Sequence, residues 1–81
     1  MSLETEIRYQ DQDVSLVVLL KVEHAVRVIA ARRGLAFEDA YDRFLASATH
    51  RALLDGDSLM WTESSEFIAD EYDREISDRS A

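Results

Sequence analysis

The chain contains no cysteine and no proline, and only two of its 81 residues are glycine. Without cysteine there is no disulfide framework and no thiolate metal site, a composition that suits a reducing cytoplasm. Without proline, and with glycine only at Gly34 and Gly56, few positions can stop a helix, so long helices are favoured over a turn-rich β fold. Long apolar runs are missing as well. The longest, Leu16 to Leu20, ends at Lys21, far short of the ~20 residues that span a bilayer, and no signal-peptide pattern precedes it. No glycine-rich phosphate loop, nucleophile elbow or His-Glu-x-x-His spacing occurs. The expectation is a cytoplasmic, non-enzymatic protein without metal or cofactor.

What is present is an apolar fraction of 47%, enough for a core and too much for a disordered tail. The length fits one domain over residues 1–81, small enough that its core is marginal unless a partner adds to it. Charge is distributed unevenly. Residues 1–34 hold five acids and five bases, whereas residues 35–81 hold twelve acids and four bases and so carry the whole net charge of −8. Proteins that grip phosphates are basic over the binding face, so the acidic half argues against nucleic acid and toward a basic protein partner, or toward solubility alone.

Hydrophobic spacing yields an all-α class: a small bundle of three to four helices with a short extended N-terminal segment. "LETEIRY", residues 3–9, alternates as a strand does. Asp11 and Asp13 can cap the helix that follows. From Val14 to Arg33 nothing breaks a helix, Arg32 and Arg33 suit its negative end, and Gly34 stands where a left-handed stop residue belongs. Its first half, "LVVLLKV", is apolar on nearly every side, so it must lie centrally or pack on a second chain. Leu16, Val17, Leu19 and Leu20 are therefore candidate homodimer contacts.

Phe37, Ala40, Tyr41, Phe44, Leu45 and Ala48 form one continuous helical face, assigned to the core, with Ala36 at the cap position. The pattern runs on to Leu54, as one helix or with a break near Ser47, and Gly56 ends it. A last helix starting near Thr62 or Ser64 carries a stripe of Ile68, Tyr72 and Ile76 flanked by Phe67. Along it Asp70–Arg74 and Glu75–Arg79 have i,i+4 pairing distance. Asp70, Glu71, Asp73 and Glu75 are the candidate contacts for a basic partner.

Between these helices lies "DGDSLMW". Its Asp57-Ser58-Leu59 is the tripeptide an acyl carrier protein shows at its phosphopantetheine serine, but only 23 residues follow Ser58, room for one helix instead of two. Asp55, Asp57 and Ser58 are also the side chains that bond their own backbone in turns, and that reading is preferred, with Leu59, Met60 and Trp61 returning to the core. Counted as a calcium loop from Asp55, with Asp57, Glu63 and Glu66 in register, the stretch puts Leu59 and Met60 where an oxygen ligand and a glycine are needed. His24 and His50 stand in no metal spacing and are read as ordinary histidines. Tyr9, Tyr41, Tyr72 and Trp61 are read as core and not as a stacking surface.

Two stretches resemble known families. "IAARRGLAFEDAYDRFLASATHRALL" looks like the helix-turn-helix portion of ribbon-helix-helix regulators, with "ETEIRYQ" in place of their DNA-reading strand. That resemblance implies a paired strand in the major groove with Glu4, Glu6 and Arg8 as readers. "RRGLAFEDAYDRF" followed by "SLMWTESSEFIADEY" is similar to small uncharacterised bacterial helical proteins encoded beside toxin-like partners. It implies an antitoxin-like role, an acidic protein masking a basic surface.

Overall fold

The structure, a computed structural model, describes residues 7–80, with the Ser80 side chain excepted. A two-residue strand β1 (Arg8–Tyr9) turns back onto β2 (Gln12–Asp13). Four helices follow: α1 (Ser15–Arg33), α2 (Phe37–Leu45), α3 (Ala48–Leu54) and α4 (Ser65–Ser80). Two single 3₁₀ turns, Gly56–Ser58 and Met60–Thr62, join α3 to α4. The chain is an all-α bundle with one small antiparallel hairpin.

The long apolar segment is the central helix. α1 packs chiefly on α4 and α2, burying Val18, Val22, Ala25, Val26 and Ile29 against Ala40 and Phe44 of α2, Leu53 of α3, and Ile68, Ala69 and Tyr72 of α4. Phe44 is fully buried between Tyr72 and the edge of His50. Gly34 closes α1 at φ 64°, the left-handed stop its position predicted.

Only the end of the alternating segment falls among the described residues. Residues 3–6 lie outside the described residues, and the strand from Arg8 lasts two residues. Gln10 and Asp11 then adopt positive φ, 50° and 65°, the mirror-image turn that suits a tight hairpin. Asp11 is consequently a turn residue and no cap. Asp13 alone serves α1: its Oδ1 accepts from the Ser15 amide at 2.9 Å, and the Ser15 hydroxyl foremost, with that amide, holds the Asp13 carboxyl below its ordinary pKa. The Ser15 hydroxyl in turn accepts the Ile7 amide, fixing the hairpin to the start of α1.

Ser47 resolves the break. Its hydroxyl accepts the His50 amide at 3.0 Å and donates to the Phe44 carbonyl at 2.6 Å, ending α2 and starting α3. The face assigned to the core on α2 is buried only along Ala40 and Phe44, the line that meets α1, α3 and α4; Phe37, Tyr41 and Leu45 stay exposed to either side of it. Leu59 also remains exposed, at φ 60° between the two 3₁₀ turns, while Met60 and Trp61 are half-buried. α3 already ends at Leu54, and Gly56 opens the next turn instead of closing the helix. Ser64 caps α4, accepting the Phe67 amide.

α2 begins without a cap. Ala36 has extended dihedrals, φ −63° and ψ 151°, and no side chain that can accept an amide. Ala36→Ser supplies that acceptor and should stabilise the domain by about 1 kcal/mol. A urea midpoint that stays put or falls would rule this out.

Candidate functional site

Among the described residues, the first two turns of α1 carry the most exposed aliphatic side chains. Ser15, Val18 and Val22 face inward, and what remains, Leu16, Val17, Leu19 and Leu20, is exposed by 69%, 44%, 57% and 48%. No polar stripe relieves this edge; Lys21 is the single charged residue between Val14 and Val22. The edge continues onto α2. Leu19, Val22, Glu23, Arg27, Phe37 and Tyr41 line a groove between the two helices. Phe37 and Tyr41, each 37% exposed, stack with planes 12° apart, and the Arg27 guanidinium lies 5.4 Å from the Phe37 ring centre. Glu23 binds Arg27 at 2.8 Å, a contact that lowers the Glu23 pKa and holds the guanidinium at the rim. The i,i+4 spacings of Phe37–Tyr41 and Glu23–Arg27 were the sequence signals for this shelf; assigning the aromatics to the core hid them.

The acidic candidates lie elsewhere, and each has a partner within the chain. Asp70 pairs with Arg32 at 2.8 Å, so the expected Asp70–Arg74 pair does not form; Arg74 instead meets Glu71 at 2.7 Å. Asp73 accepts from both Arg32 and Arg33. Glu75 pairs with Arg79 as its spacing suggested, but its main contacts are across the fold. Its Oε2 accepts the Ala48 amide at 2.9 Å, and its Oε1 accepts the Thr49 amide at 2.9 Å and hydroxyl at 2.7 Å. Burial alone would raise the Glu75 pKa; these hydrogen bonds outweigh it and hold the carboxyl below its ordinary value. Glu75 thus caps α3 from α4.

The Asp55–Trp61 stretch is held as a turn. Asp55 accepts the Asp57 amide, the Ser58 hydroxyl lies 2.6 Å from the Ala52 carbonyl oxygen and 2.8 Å from that of Asp55, and the Trp61 indole donates to the Gly56 carbonyl. Among the described residues no three His, Asp or Glu side chains gather as a metal site. His24 is exposed, and His50 sits edge-on to Phe44, where burial foremost lowers its pKa and favours the neutral ring.

Arg8 lies in β1, which pairs with its own chain, Arg8 opposite Asp13; the Arg8 guanidinium also bonds the Asp11 carbonyl. Glu4 and Glu6 fall outside the described residues. Among the described residues no helix is long and apolar enough to cross a membrane. No protein-family model matches the chain, and no curated protein or solved structure shows significant similarity to it.

Proposed function

We propose that the protein is a non-enzymatic helical interaction module that works as a homodimer, joined through the apolar edge of α1 and the aromatic shelf of α2. The exposure of Leu16, Val17, Leu19 and Leu20 carries this reading. With Phe37 and Tyr41 they make six large apolar side chains left exposed on α1 and α2, the kind of grouping that marks a protein contact. A second copy is the occupant that charge favours. Each chain carries −8, and Leu16 to Leu20 give two copies a stretch of α1 on which to meet that holds no carboxylate. An isologous contact also leaves the acidic halves outward. There the unpaired surface carboxylates are available to a basic partner in a reducing cytoplasm, an antitoxin-like role.

Light scattering coupled to gel filtration should return twice the 9.3 kDa chain mass at micromolar concentration. Leu16→Glu with Leu20→Glu should return the single mass while the circular dichroism spectrum stays helical, because both side chains already face water in the subunit. A wild-type chain that runs as a monomer up to the highest concentration reached overturns the proposal.

A further inference from the structure

A different surface gathers three arginines, of which Arg43 alone makes no ion pair among the described residues. Arg33 from the end of α1, Arg43 from the last turn of α2 and Arg79 from the last turn of α4 converge on a groove of about 350 Å³. Its remaining lining among the described residues is Ala46, Tyr72 and Ile76, with no carboxylate among them; Asp73 and Glu75 reach Arg33 and Arg79 from outside that lining. In a chain of net charge −8 this is unusual, and the contrast with the neighbouring groove sharpens it. The groove along α3 and α4 mixes Glu71, Arg74, Glu75, Asp78 and Arg79, so carboxylates stand in its own lining.

Two of the three arginines are tethered from outside the groove. Arg33 binds Asp73 at 2.8 Å and lies 5.4 Å from the Tyr72 ring centre; Arg79 binds Glu75 at 2.9 Å. Each pair engages one terminal nitrogen of a guanidinium that has five N–H donors, so the tether fixes the side chain and leaves donors unspent. Arg43 makes no ion pair among the described residues. Fixed forked donors beside an apolar floor match a carboxylate carried next to an apolar side chain.

We infer that this groove binds an acidic, partly apolar peptide segment of a partner protein, with Arg43 as the main carboxylate contact and Arg33 and Arg79 flanking it. The volume sits at the small end of ligand clefts and suits a short segment. A long nucleic acid would lay further phosphates against the carboxylates that dominate the surrounding surface, whereas one or two local carboxylates meet only the arginines.

The test is fluorescence anisotropy of a labelled, end-blocked hexapeptide alternating glutamate and leucine, against the intact chain at low salt. Saturable binding is expected, absent for the peptide with glutamine in place of glutamate and weakened at least about tenfold by Arg43→Glu. Arg43 is exposed, and the variant's helical spectrum and solution mass should match wild type, which separates this effect from any change at the α1 edge. No saturable binding, or equal binding by Arg43→Glu, overturns the site. Equal or tighter binding of a single-stranded oligonucleotide with the same dependence on Arg43 overturns the peptide assignment.

Discussion

Gly56→Ala should cost about 2–3 kcal/mol and loosen the N-terminal hairpin, although Gly56 itself has ordinary backbone dihedrals. The reason is distance. A Cβ at this position would fall on the Arg8 carbonyl oxygen and 2.9 Å from its carbonyl carbon. Those are backbone atoms of β1, so no flexible side chain can swing aside, and either the hairpin or the 3₁₀ corner must move. Movement there breaks a second contact, the edge-to-face packing of Tyr9 on Trp61 at 5.7 Å. Trp61 is the single tryptophan, so its emission reports on this corner alone, and a red shift should accompany the lower urea midpoint. Gly34→Ala is the internal control. Nothing lies within 4 Å of its added methyl, and its cost, about 1 kcal/mol, comes from the left-handed φ of 64°. It should leave the Trp61 emission unchanged. Equal midpoints for Gly56→Ala and wild type would reject the close approach.

Glu75→Ala should lower stability by a similar amount, about 2–3 kcal/mol, or roughly 10–20 °C in melting temperature for a domain of this size. The carboxylate is only 14% exposed and receives three hydrogen bonds from the first turn of α3. Truncation strands the Thr49 amide and hydroxyl in a buried position, whereas the Ala48 amide can turn to water. Glu75→Gln should fall between, since an amide oxygen can replace one acceptor while its NH₂ opposes the other donors. The same contact gives the domain an acid limit. The folded-state pKa of Glu75 is depressed, so its contribution is complete above the unfolded carboxylate value and drains away as pH falls from there through the lower folded value. Urea midpoints measured from neutral pH downward should therefore drop less for Glu75→Ala than for wild type. Parallel curves would show that Glu75 is not the group responsible.

The central helix was legible because its evidence is local. Twenty residues without a breaker, and the absence of any polar stripe between Val14 and Val22, say both that the segment coils and that it exceeds what one subunit covers. The cap position at Ala36 and the break at Ser47 were legible for the same reason. Pairings across the fold were not. Spacing offered Asp70 to Arg74, four residues on, but the structure gives it to Arg32, 38 positions away, because α4 lies along the end of α1. Glu75 looked like half of a surface pair and is a cap for a different helix. Phe37 and Tyr41 shared a periodic face with Phe44, and periodicity alone does not say how wide a neighbouring helix is. Gly56 carried the right letter for the wrong reason: a helix stop was expected, and the glycine makes room for a strand.

The stitching of Arg32 and Arg33 to Asp70 and Asp73 has a consequence for biosynthesis. α1 is made early, and α2 follows at once, yet α4, which covers the other part of its inner face, follows it in the chain by more than thirty positions. A nascent chain emerging from the ribosome can lay α2 on α1, but leaves the α4 side of α1 open until α4 appears. In the homodimer proposed above, its outer leucines would be free during that interval to meet those of a neighbouring polypeptide on the same message. Assembly begun during translation would then bury the greasy rod before the bundle that ultimately houses it is complete.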